Sequence, residues 1–129
     1  MGDWVCHDVT PIYLQLCDTV RLRILAGTYA PASRLPSIRT IANAAGVNSA
    51  TAARAFSLLA KEELICRTKY GYTVTSDTAF IEATRHATAQ TLASTYVREM
   101  TQLGYSIKEL MQEVSRYAGK LLNSRSYKW

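Results

Sequence analysis

The chain has 129 residues, of which 48% are hydrophobic and 19% charged, and a formal net charge of +5. That length suits one ordinary domain or a small domain with an appendage, and the apolar content excludes a disordered chain. No apolar run approaches the roughly 18 residues needed to cross a bilayer, and the first residues carry Asp3 and Asp8 without an apolar signal core. A cytoplasmic protein with no membrane partner is therefore expected, and the basic balance favours a polyanionic one.

Residues 1–9 read as a short arm. Thr10 can cap a first helix with Pro11 at its first position, and Tyr13, Leu16, Cys17, Val20 and Ile24 form its inward stripe. Gly27 ends it. A loop with two prolines follows, with Arg34-Leu35 placed to touch a sheet. Ser37 stands as N-cap of a second, short helix whose buried face is Ile38, Ile41, Ala42 and Ala45, closed by Gly46. Asn48 caps a third helix with Ala52, Ala55, Phe56 and Leu59 inward and Ser49, Ala50, Ala53 and Arg54 outward.

The pattern then switches to strands, Leu64–Thr68 and Tyr72–Thr75, joined by Lys69-Tyr70-Gly71. Ser76-Asp77 can cap a long fourth helix, about 78–103, ending before Gly104. Ser106-Ile107-Lys108-Glu109 reads as a capping box opening a fifth helix. On that helix Ile107, Leu110, Met111, Val114, Tyr117, Ala118 and Leu121 recur at helical spacing. Residues 123–129 form a basic and aromatic tail. The expected fold is mainly α: a winged helix-turn-helix of three helices and a β-hairpin over 1–77, followed by two helices over 78–129.

In a helix-turn-helix the start of the second helix of the pair meets base edges in the major groove while the first braces the duplex. Candidate DNA-binding residues are Arg34, Ser37 and Arg39 around the second helix and Asn48, Ser49, Ala50, Thr51 and Arg54 on the third. Arg67, Lys69, Tyr70 and Gly71 belong to the wing, which can enter a minor groove or clamp its phosphates. Asn48 can equally be only a cap. The fifth-helix seam, with Leu92, Tyr96 and Leu103 of the fourth helix, is the candidate dimerisation surface: Ile107, Leu110, Met111, Val114, Tyr117 and Leu121.

No enzyme is expected, because no nucleophile triad, GxSxG, HExxH or glycine-rich phosphate loop is present. No cofactor or metal is expected either. His7 and His86 lack a ligand partner at useful spacing. Cys6, Cys17 and Cys66 form neither a disulfide framework nor a zinc pattern, and Cys17 and Cys66 are expected to be small core residues.

Taken together, Pro11-Ile12-Tyr13, Gly27, Leu35-Pro36-Ser37-Ile38-Arg39, Ile41-Ala42, Gly46-Val47-Asn48, Thr51, Ala53-Arg54-Ala55, Leu59 and Leu64-Ile65 resemble the DNA-binding domain of the GntR family of bacterial transcription regulators. The resemblance covers about residues 10–76. The short helical remainder, with Tyr96-Val97-Arg98-Glu99-Met100 leading into Leu103-Gly104-Tyr105-Ser106, is similar to the YtrA-type subfamily. There the C-terminal helices mainly form the dimer, and members often control membrane-transporter genes.

The resemblance implies DNA-contacting roles for Arg39, Asn48, Thr51 and Arg54. It departs from the family pattern at the wing, where Tyr70-Gly71-Tyr72 replaces Gly-x-Gly. Glu63 stands where a turn glycine is common, and Ser49 replaces a frequent proline. The reading is a homodimeric, sequence-specific regulator, a repressor on a palindromic operator. A small-molecule effector is a further candidate partner, in a pocket between the winged domain and the fourth helix lined by Tyr96 or Tyr105. The alternatives are a winged-helix protein-interaction module and a thiol-based redox sensor.

Overall fold

A computed structural model describes residues 10–123. The expected arm, with Cys6 and His7, and the tail beyond Asn123 lie outside the described residues. The architecture is mainly α, in the order α1 (Ile12–Leu25), α2 (Ile38–Ala45), α3 (Ser49–Lys61), β1 (Ile65–Thr68), β2 (Gly71–Val74), α4 (Thr78–Gln102) and α5 (Ile107–Leu122). This is the expected winged helix-turn-helix with two further helices. It divides into two compact units, one ending at Glu82 and the other beginning at Ala83, within α4. No helix among the described residues is long and apolar enough to cross a membrane.

The first unit is built around a closed apolar core. Leu16, Cys17, Val20 and Ile24 of α1 meet Ile41 and Ala42 of α2, Ala52, Ala55, Phe56 and Leu59 of α3, and Leu64, Ile65, Tyr72 and Val74 of the hairpin. Phe56 and Tyr72 meet edge to face, with centroids 5.2 Å apart and rings inclined at 72°. Such a contact adds to the burial of both rings. Ile81, with Phe80 beside it, closes the core from the first turn of α4.

Caps set the ends of the short helices. The Ser37 side chain accepts from the Thr40 amide, and Gly46 ends α2 at φ 70°, ψ 30°, a left-handed position that glycine occupies without steric cost. The antiparallel pair runs from Ile65 opposite Val74 to Thr68 opposite Gly71. Arg34 adds the expected bridge to the sheet, opposite Thr73.

Several local expectations are corrected. Pro11, not Thr10, occupies the N-cap of α1, and no side chain caps that end. Ala45 is exposed rather than buried, because α2 is too short for its last residue to reach the core. Cys66 is exposed as well: a two-stranded sheet is packed on one face only, and Cys66 alternates onto the open face between buried Ile65 and the exposed end of β1. Glu63 takes the left-handed conformation itself, at φ 66°.

In the second unit the expected capping box is present. Ser106 accepts from the Glu109 amide, and the Glu109 carboxylate accepts from the Ser106 amide at 2.9 Å. Donation from the Ser106 backbone N–H foremost, and from the Ser106 side chain, holds the Glu109 carboxyl below its ordinary range.

Candidate nucleic-acid interface

The turn between α2 and α3 is fixed from both sides. Gly46 reverses the chain, and the Asn48 side-chain oxygen accepts from the Thr51 amide at 2.8 Å. Asn48 is thus a cap in this structure, its carbonyl oxygen committed to the helix and its NH2 group left to donate. Ser49 and Ala50 are exposed beside it, while Thr51 and Ala53 are half-buried. Arg39 is exposed in the first turn of α2, and among the described residues no hydrogen bond or ion pair holds it.

The wing meets this region through Arg34. Its guanidinium donates to the Tyr70 carbonyl at 2.6 Å, tying the loop before α2 to the hairpin tip. Thr68 organises that tip: its hydroxyl accepts from the Tyr70 amide and donates to the Gly71 carbonyl, both at 3.1 Å. The tie brings Arg34 and Ser37 together with Arg67, Lys69, Tyr70 and Gly71 around a notch of about 190 Å³. Tyr70 is 65% exposed at its rim, and the Lys69 ammonium lies 5.3 Å from the Tyr70 ring. Arg54 stands apart from that group, its guanidinium stacked over Tyr13 of α1.

One buried-edge network was not visible in the sequence. Arg21 of α1 donates to both carboxylate oxygens of Glu62, at 2.9 and 2.7 Å, and also contacts Asp18. Glu62 is the C-cap of α3, so this fork pins the end of α3 to α1. The hydrogen bond to Glu62 above all holds the Arg21 guanidinium above its ordinary pKa. Arg21 also reaches the Cys17 sulfur at 3.3 Å. Burial pushes the Cys17 thiol up, against the pull of Arg21. Cys17 is fully buried, out of reach of solvent oxidants in the folded chain. Glu62 lies 41 positions after Arg21 in the chain, so only tertiary structure brings the pair together.

The candidate dimer residues divide. Ile107, Met111, Val114 and Tyr117 are 55%, 61%, 47% and 64% exposed along one side of α5, Leu92 and Tyr96 are exposed on α4, and Leu103 is exposed just after its end. Leu121 is half-buried. Leu110 is buried, so this member of the expected surface packs within the protomer instead. Tyr96 and Tyr105 do line a cavity, of about 550 Å³. Its other walls, Met100, Leu103, Glu113, Val114, Tyr117, Ala118 and Leu121, all belong to the helical unit rather than to the winged one. No group of three or more His, Cys, Asp or Glu among the described residues is placed to hold a metal ion.

Two helices joined by a glycine turn, followed by a basic hairpin on a shared core, define a winged-helix DNA-binding protein. The profile of the "Bacterial regulatory proteins, gntR family" matches residues 12–73. A GntR family transcriptional regulator from Listeria monocytogenes is 30% identical and superposes with a TM-score of 0.80, over 85% of this chain and 97% of that one. YtrA from Sulfolobus acidocaldarius, a GntR-family transcription factor, is 31% identical with a TM-score of 0.52, over 92% of this chain and 97% of that one. The uncharacterized HTH-type transcriptional regulator YhcF of Bacillus subtilis (strain 168) is 23% identical over 108 residues, covering 83% of this chain and 89% of that protein. The chain belongs to the GntR family of bacterial regulatory proteins. It is a DNA-binding regulator, not an enzyme.

Proposed function

We propose that the protein is a cytoplasmic, homodimeric repressor of the YtrA type that binds a palindromic operator. Residues 1–77 act as the DNA-binding part and 78–129 as the dimerisation part. Likeness to the Sulfolobus YtrA over nearly the whole of both chains supports the subfamily.

The observation that carries the dimer is the apolar side of α5. Ile107, Met111, Val114 and Tyr117 recur at helical spacing and stand half or more exposed, or nearly so, where a second copy can cover them. A two-fold partner places two copies of α3 in successive major grooves, about one helical turn apart, which calls for a palindromic site.

On the DNA side, Arg39 and the start of α3 read the major groove: Asn48 through its free NH2 group, with Ser49, Ala50 and Thr51 alongside. Arg54 meets the flanking backbone. Arg67, Lys69, Tyr70 and Gly71 engage the adjacent minor groove. Arg34 and Ser37 contribute mainly by shaping the approach, since Arg34 is tied to the wing and Ser37 caps α2. An apolar effector fits the tyrosine-lined cavity of the helical unit, and its binding there would alter the dimer that the same side chains build.

Selection of bound duplexes from a random pool, combined with mass measurement of the free protein, tests this reading. A palindromic consensus and a dimer mass are expected. A monomer mass, or recovery of duplexes without a consensus, overturns it. A reporter placed behind the selected site should rise in expression when the protein is removed; a fall would make it an activator. Calorimetry with a metabolite panel tests the effector.

A further inference from the structure

Arg54 is held in a way no other cation near the interface is. Its guanidinium carbon lies over the Tyr13 ring, 3.9 Å from its centre, a separation too short for an N–H to point into the ring. The Arg23–Tyr29 and Arg67–Tyr72 pairs are both at 5.9 Å, a looser approach. Tyr13 is half-buried in the first turn of α1, so the platform is fixed, while Arg54 is exposed on α3.

This contact uses the π face of the ring and the flat face of the guanidinium. The five N–H donors lie in the guanidinium plane and point outward from its rim, so stacking occupies none of them. Arg21 is the opposite case: its donors are taken by Glu62, Asp18 and Cys17. Among the described residues, no hydrogen bond or ion pair takes an Arg54 N–H. Arg54 also lies one turn along α3 from Ala50, and small Ser49, Ala50 and Ala53 leave the approach to it open.

We propose that Tyr13 is a positioning residue that holds Arg54 as a pre-set, planar fork for a DNA phosphate. This rests on the reading of α3 as the DNA-facing helix. An unstacked arginine must freeze several torsions when it meets a phosphate; the stacked one has frozen them before the duplex arrives. The planar fork matches two phosphate oxygens, a match that the point charge of lysine lacks. The cost of losing the platform therefore falls on DNA affinity rather than on the fold alone.

The test is a double-mutant cycle on the intact protein, with the tightest duplex recovered from the random pool as probe. Tyr13→Phe keeps the ring and should bind like the wild type. Tyr13→Leu should weaken binding roughly two- to fivefold. Arg54→Ala should weaken it further, and Arg54→Lys should not restore the wild-type affinity. Adding Tyr13→Leu to Arg54→Ala should cost nothing more. In the free protein the Arg54 side-chain protons should be shifted upfield by the Tyr13 ring and return to ordinary positions in Tyr13→Leu, a signature independent of DNA.

Thermal melts of each variant separate lost folding from lost positioning. Additive losses in the cycle, or an unaltered affinity in a folded Tyr13→Leu protein, overturn the proposal. Unaltered binding by Arg54→Ala overturns it too while leaving the other DNA contacts standing. A wild-type protein that binds no duplex instead removes the broader reading on which it rests.

Discussion

The two units solve the problem of apolar surface in opposite ways. The winged unit buries its large side chains within itself: Phe56, Ile24, Leu59 and Leu64 are all essentially inaccessible. The helical unit leaves most of its large side chains outside, with Leu103, Tyr117 and Leu122 at 73%, 64% and 81% exposure. Both contain well-formed helices, and α5 has the better-capped start of the two C-terminal ones. Secondary structure is therefore no guide to where stability resides. Hydrophobic burial dominates folding, so the winged unit carries its own apolar core, while the helical unit leaves its apolar side open, the side on which the proposed dimer rests.

The largest test of that contrast is Phe56→Ala. Removing the biggest buried side chain should cost about 3–5 kcal/mol, measured by chemical denaturation, and abolish a folded winged unit if its total stability is ordinary. Met111→Glu is the reciprocal test. It should shift self-association by about 2–3 kcal/mol in sedimentation equilibrium, since a charge would have to be desolvated, yet change the far-ultraviolet spectrum little.

Arg39→Ala should cost about 1–3 kcal/mol of operator affinity by fluorescence anisotropy, with an unchanged melting temperature, because Arg39 is exposed and bonded to none of the described residues. The smallest effect is an acid one at the start of α5. A carboxyl whose pKa is lowered by folding stabilises the folded state above its unfolded pKa, and that contribution disappears as pH falls through its folded value. The protection of the Ser106 and Glu109 amides, relative to the exchange rate of an unstructured chain at the same pH, should therefore fall in acid, and Glu109→Ala should remove that pH dependence.

What was legible in the sequence is what depends on neighbours in the chain. Ser37, Asn48 and Ser106 announce their caps because the donor each serves is three residues away. Gly46 announces its turn because few other residues take that conformation readily. The hairpin was legible from its alternation, and so was the bridge at Arg34.

The contacts that the sequence concealed join distant positions. Arg21 reads as a solvent-facing residue outside the stripe of α1, and only the fold brings Glu62 to it. Arg34 reads as a DNA ligand, yet the fold offers it the Tyr70 carbonyl, and Arg54 finds the Tyr13 ring in the same way. Cys66 was misplaced for a different reason: hydrophobic character does not tell which face of a two-stranded sheet is covered. Leu110 was grouped with its exposed neighbours because periodicity marks an apolar side without saying which part of it the protomer itself covers.

If α3 and the wing are the two DNA contacts, as proposed, the edge-to-face contact of Phe56 with Tyr72 has a consequence for how DNA is measured. One ring belongs to α3 and the other to the wing, and both are anchored in the same core. The two grips are thereby the jaws of a caliper with a locked opening. Such a tool tolerates no change in the interval between what the helix touches and what the wing touches: one inserted base pair moves the second contact by about 3.4 Å along the duplex and turns it around the axis. On the proposed reading, the phasing of the two contacts is thus set by a hydrophobic joint buried in the core.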